Sequence, residues 1–114
     1  MQVYFPKYVP EGYTISNVET DILKVTFELV SGNNYILIVQ RPLNGYHAKI
    51  ALDSENTILE EVTINEHIGF YSLKDGTHLL YFFDNNNFYN IRTNNLSKKE
   101  IIRVAESFEM IVGL

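Results

Sequence analysis

The sequence predicts an α+β domain: an antiparallel meander sheet of about five to six strands with one C-terminal helix packed on a face. Three observations carry that reading. Apolar residues alternate with period two through most of the chain. Short runs rich in Gly, Asn and Asp separate these segments at hairpin spacing. Only the residues after Ser97 repeat with helical spacing.

The elements follow in order. Phe5-Pro6-Lys7-Tyr8-Val9-Pro10-Glu11-Gly12-Tyr13 carries two prolines and a glycine, which exclude a helix and predict an ordered, extended N-terminal segment. From Leu23, the residues Leu23, Val25, Phe27 and Leu29 alternate with Lys24, Thr26 and Glu28, the pattern of a half-buried strand. Ser31-Gly32-Asn33-Asn34 reverses the chain. Tyr35 to Gln40 is apolar on both faces and is expected in the sheet interior. Arg41-Pro42-Leu43-Asn44-Gly45 ends that strand, and the stretch to Asn56 reads as a long loop with one short helical turn.

Alternation resumes from Ile58 to Asn65, with Ile58, Val62 and Ile64 opposite Leu59, Glu61 and Thr63. The Asn65-Glu66-His67 connection leads into Ile68 to Leu73, its expected partner. Asp75-Gly76 is a hairpin dipeptide, because both positions tolerate positive φ, and Thr77 to Phe83 after it is again apolar on both faces. Asp84-Asn85-Asn86-Asn87 predicts one more turn before Phe88 to Arg92. Ser97-Lys98-Lys99-Glu100 has the form of a capping box. Ile101, Val104, Ala105, Phe108 and Ile111 or Val112 then make one apolar stripe on a helix of about fifteen residues, closed by Gly113.

At 114 residues the chain has room for one domain, 1–114, and 46% apolar with 20% charged residues is an ordinary globular composition. Eight Tyr and seven Phe, without Trp or Cys, favour strands. The absence of Cys excludes a disulfide framework and a thiolate zinc site. A net charge of −5, with Lys98-Lys99 as the one basic pair, argues against a nucleic-acid partner. The chain holds no apolar run long enough to span a bilayer and no signal peptide, so it reads as soluble. Met1 stands before the strand-like Val3-Tyr4-Phe5 with one residue between them, as it would in a domain cut from a larger parent.

Candidate chemistry is thin. His47, His67 and His78 fall in a loop, a turn and a strand start, without the short fixed spacing of a metal motif. Glu60, Glu61 and Glu66 near His67 do not form an acid–base set, because adjacent strand residues point to opposite faces. Asp53-Ser54-Glu55-Asn56 and Asp84-Asn85-Asn86-Asn87 are oxygen-rich but lack the alternating ligands, central glycine and distal glutamate of a calcium loop. Asn95-Leu96-Ser97 fits a glycosylation sequon and is better explained by the helix cap. Glycine loops for phosphates and a nucleophile elbow are absent. No cofactor, metal or catalytic residue is therefore expected.

Several segments together resemble a known family: Tyr8-Val9-Pro10-Glu11-Gly12-Tyr13, Tyr35 to Gln40, Leu79 to Asp84 followed by Asn87-Phe88-Tyr89, and the close from Leu96 to Phe108. In this order and over nearly the whole length, the chain resembles the bacterial domain of unknown function numbered 4367. Where that family usually carries Trp before the final hairpin, this chain has Tyr81-Phe82-Phe83. The resemblance implies an extracytoplasmic domain of a membrane-anchored parent from a Gram-positive bacterium, in some cases tied to sporulation or sigma-factor regulation. It supplies no catalytic residues.

The expected function is thus a non-catalytic interaction or sensory domain, with a protein partner or the rest of the parent chain as ligand and the membrane reached only through the parent's anchor. The alternative is a small module holding a lipid tail or other apolar ligand between a curved sheet and the helix. An acyl-sized cavity would favour the second, and a filled core with exposed apolar surface the first. Because two strands are apolar on both faces, the helix alone cannot cover the sheet. The N-terminal segment is expected to cover part of the second face, and a partner surface is expected around Phe27, Leu37 and Tyr81.

Overall fold

The computed structural model describes residues 2–42, 59–84 and 86–111. Within them the chain runs β1 (Tyr4–Pro6), β2 (Thr14–Asp21), β3 (Lys24–Ser31), β4 (Asn34–Pro42), β5 (Glu60–Ile64), β6 (His67–Lys74), β7 (Thr77–Phe83), β8 (Asn87–Thr93), α1 (Lys98–Glu106) and β9 (Phe108–Met110). The class is α+β and antiparallel, as predicted, but the main sheet has seven described strands in the order β2-β3-β4-β8-β7-β6-β5. It is two meanders joined side by side, not one, because β4 pairs with β8 from Ile36↔Thr93 to Pro42↔Asn87. A second sheet pairs β1 with β9.

Local chemistry accounts for the hairpins. Asp75 and Gly76 both have positive φ (52° and 78°), as a two-residue turn matched to strand twist requires. Asn65 and Glu66 do the same (48° and 73°), so the β5–β6 connection is a two-residue turn and His67 already belongs to β6. At the β7–β8 turn, Asp84 Oδ1 accepts from the backbone N–H of Asn86 (2.8 Å) and Asn87 (2.7 Å), the side-chain mimicry that makes aspartate a turn residue.

The central strands meet as their patterns demand. Val25, Phe27 and Leu29 of β3, Ile36 and Ile38 of β4, Ile91 of β8 and Leu80 of β7 share one face and are buried. Ile101, Val104 and Ala105 of α1 seal it. Ser97 caps this helix, its hydroxyl accepting from the Glu100 N–H at 3.2 Å, the first half of the predicted box. The return contact from the Glu100 carboxylate is not made.

The helix is nine residues long, shorter than its apolar stripe suggests. Ser107 ends it by giving its hydroxyl back to Val104 O (2.7 Å) while its own carbonyl and hydroxyl accept the N–H groups of Lys7 (2.9 Å) and Tyr8 (2.9 Å). The backbone bonds available from β1 thus outweigh continued helix, and Phe108 enters β9 instead. The predicted cap at Gly113 lies outside the described residues, as do the loop expected from Leu43 to Asn56, with His47 and Asp53 to Asn56 inside it, and Ile58.

The N-terminal segment does not cover the second face. Tyr4, Phe5, Tyr8, Val9 and Tyr13 pack on the same face as α1. Phe5 lies edge-on to Phe27 with ring centroids 4.7 Å apart. Buried Gln40 fastens this layer: its Oε1 accepts from Tyr4 N (2.9 Å) and its Nε2 donates to Gln2 O (2.6 Å). A polar side chain in the core is tolerable because its amide is engaged at both ends. Strand β2 was not expected; it is an edge strand exposed along its whole length, with a bulge between Ile15 and Asn17.

Candidate functional site

Antiparallel pairing gathers the β2–β3, β5–β6 and β7–β8 turns at one end of the main sheet. Two features stand there. The first is the apex of the β2–β3 hairpin, where Ile22 and Leu23 sit between Asp21 and Lys24 with 86% and 64% of their surface exposed. Leu23 was expected to begin the buried alternation, but the turn takes it, and burial starts at Val25. An open groove of about 300 Å³ adjoins the apex, lined by Ile22, Gln2, Pro42, Asn86 and Asn87.

The second feature is a cleft of about 130 Å³ where the sheet, α1 and β9 converge. The rings of Tyr4, Phe82, Tyr89 and Phe108 wall it, and Asn65, His67 and Asp84 contribute its other polar groups. Phe82 stacks on Tyr89 (4.7 Å between centroids) and Phe108 stands edge-on to both (5.4 and 5.2 Å), so these walls brace one another. The buried Tyr89 hydroxyl donates to Asp84 Oδ2 at 2.8 Å. Burial raises the Tyr89 pKa above its ordinary value of 10, and the hydrogen bond and negative charge of Asp84 push it further up. The phenol is therefore a fixed, neutral donor and not a general base.

The remaining residues considered in the sequence are dispersed. His67 lines the cleft, whereas His78 at the start of β7 pairs its Nδ1 with the Tyr71 hydroxyl at 2.8 Å. Burial also raises the Tyr71 pKa. Glu60 forms an ion pair with Lys98, and Glu61 points to the opposite face, so the two carboxylates do not converge. Among the described residues no group of three potential metal ligands occurs. The wider groove along α1, about 460 Å³, is open, and two of its cations are engaged: Lys98 with Glu60, and Arg103 over the Tyr8 ring at 4.0 Å.

Of the expected partner surface, Phe27 is buried beneath Phe5 on the helix-covered face. Leu37 and Tyr81 are half-buried on the other face, so the three do not share a surface. Sequence reasoning missed the hairpin apex and the cleft. Two adjacent apolar residues between Asp21 and Lys24 are the signal that could have marked the apex; the cleft leaves no local signal because its lining comes from β1, β5, β6, β7, β8, α1 and β9.

The profile of the family described as Domain of unknown function (DUF4367) matches residues 3–108. The chain belongs to this family. No curated protein and no solved structure matches it. Among the described residues of this DUF4367 domain, no helix is long and apolar enough to cross a membrane.

Proposed function

We propose that this DUF4367 domain is a non-catalytic interaction module, displayed outside the cytoplasmic membrane by a larger parent, which docks a protein partner through the β2–β3 hairpin. The setting, including a sporulation or sigma-factor-regulation context, is the one implied by the family resemblance. The observation that carries the docking reading is the apex, where two adjacent large apolar side chains are held in solvent by a two-residue turn. Single exposed apolar residues are ordinary, but an apolar pair at the tip of a hairpin beside an open groove is what a partner would cover.

Among the described residues the outer edge of β2 pairs with no other strand, and its backbone N–H and C=O groups make a ready template for strand addition. Its bulge and the acidic Glu19 and Asp21 discourage pairing with another copy, which favours a different protein. The filled interface between α1 and the sheet, with Leu80, Ile91 and Ile101 fully buried, weighs against an acyl chain lodged there.

The test is a photo-crosslinking amino acid placed at position 22 of the full parent in its own cells, with position 74 at the opposite end of the sheet as control. A discrete protein adduct from position 22 alone is expected. No adduct, or adducts to lipid only, would overturn the reading.

A further inference from the structure

We propose that the cleft beside Asp84 receives a positively charged amine or guanidinium head group, and, resting on the interaction reading above for its source, that this head group is a lysine or arginine side chain of the partner polypeptide.

The valences at the cleft point to such a ligand. Asp84 Oδ1 is engaged by two backbone N–H groups, and Oδ2 accepts one bond, from Tyr89. That bond uses the one proton the Tyr89 hydroxyl has, and the Asn87 side chain hydrogen-bonds to the phenol oxygen, so Tyr89 is already engaged both as donor and as acceptor. Asn65 commits an amide proton to Glu106 O at 2.7 Å, and among the described residues its Oδ1 accepts no hydrogen bond. The acceptors that remain are therefore the second lone pair of Asp84 Oδ2 and the Asn65 oxygen, together with the negative charge of Asp84, with the His67 and Tyr4 side chains beside them. Among the described residues no Lys, Arg or His forms an ion pair with Asp84.

An anion entering here would meet the carboxylate, and a neutral apolar group would strip water from acceptors without replacing its hydrogen bonds. A cationic donor satisfies both the charge and the acceptors, and the rings of Tyr4 and Phe108 offer a wall suited to a cation. Size restricts the ligand further. At about 130 Å³ the cleft falls well below the roughly 300–1,000 Å³ of a site for a whole small molecule, so it fits an end group carried on something larger.

The experiment is an amide-resolved NMR titration of the domain with n-butylammonium and n-butylguanidinium, and with butyrate and butan-1-ol as charge-reversed and neutral controls at equal ionic strength. Saturable shifts centred on Asn65, His67, Asp84 and Phe108 with the two cations only are expected. Asp84→Asn keeps an oxygen for the turn but removes the charge, and should weaken cation binding by about tenfold or more. The comparison of cations with controls on the unsubstituted protein stands even if that variant is unstable.

A lysine-containing peptide compared with putrescine identifies the source. Tighter peptide binding assigns the head group to a partner chain, and tighter diamine binding assigns it to a free polyamine. No saturable shift at these residues, or an equal response to butyrate or butanol, overturns the cleft as a cation site. A failed titration with a persistent adduct at position 22 removes the cleft alone; a lost adduct with intact cation binding removes only the partner reading.

Discussion

Tyr89 and Asp84 are tied across the β7–β8 turn, the phenol donating to Oδ2 at 2.8 Å while Oδ1 of the same carboxylate holds the turn's backbone. One aspartate thus fixes both the local reversal and a core aromatic. Tyr89→Phe keeps the ring and loses the donor, and a hydrogen bond to a charged acceptor is worth about 1.5–3 kcal/mol. Denaturant midpoints near neutral pH should fall accordingly. The pH dependence has a definite sign. Because the folded protein holds the Tyr89 proton more tightly than the unfolded chain, the stability linked to it is complete below the ordinary pKa of 10 and is lost as pH rises above that value. Tyr89→Phe should therefore be less stable at neutral pH yet decline less steeply in alkali. Parallel alkaline slopes for the two proteins would show that Tyr89 is not the coupled group.

Gly69 sits in β6 against β7 with no room for a side chain. A Cβ there would stand 2.9 Å from the Tyr81 carbonyl oxygen and 3.2 Å from Phe82 Cβ, and backbone cannot swing aside as a flexible side chain can. Gly69→Ala should cost about 1–3 kcal/mol, the usual penalty for overpacking. Thermal melting decides it, and an unchanged midpoint would mean that β6 and β7 separate more easily than their register implies.

Glu66 occupies the left-handed region with φ 73° at the second position of the β5–β6 turn, where glycine is at ease and a residue with a Cβ is strained. Glu66 is exposed, so little packing is lost on its removal. Glu66→Gly is expected to stabilise the domain by up to about 1 kcal/mol as relief of strain outweighs the added chain entropy. A lower midpoint in urea would contradict this.

Ser97→Ala removes the hydroxyl that accepts the Glu100 N–H and should destabilise the domain by about 1 kcal/mol. With the return half of the box unmade, Glu100→Ala should cost less than Ser97→Ala. Equal losses in the two variants, measured by chemical denaturation, would point to a reciprocal box in solution.

The sequence resolved what short-range chemistry controls and missed what depends on distant partners. Asp75-Gly76, Ser97 and the alternation through Val25, Phe27 and Leu29 act over a few residues, and each lies where its pattern places it. Strand β2 left no trace because Thr14–Asp21 has only Ile15 and Val18 as large apolar residues, not in alternation, and an edge strand needs no apolar face when its neighbour supplies the pairing. The side-by-side joining of β4 and β8 is a long-range choice that no local run encodes. Phe108 continues the helical period of α1, yet β1 and Ser107 draw it into a strand. Asp84 was legible as a turn residue; its second role, holding Tyr89 beside a cleft, arises only when β8, β9 and the N-terminal segment meet.

On the docking reading proposed above, Ile22 and Leu23 serve partner binding and not folding. The most direct measurement is a comparison of the parent protein with and without the paired replacements Ile22→Ser and Leu23→Ser, scored both by the domain's melting temperature and by the yield of the partner adduct trapped from a photo-crosslinker at Asp21. Both side chains are largely in solvent already, so the account predicts an unchanged melting temperature together with loss of the adduct. Retention of the adduct at full yield, or a melting temperature that falls in step with it, would contradict the assignment of the hairpin apex as the docking surface.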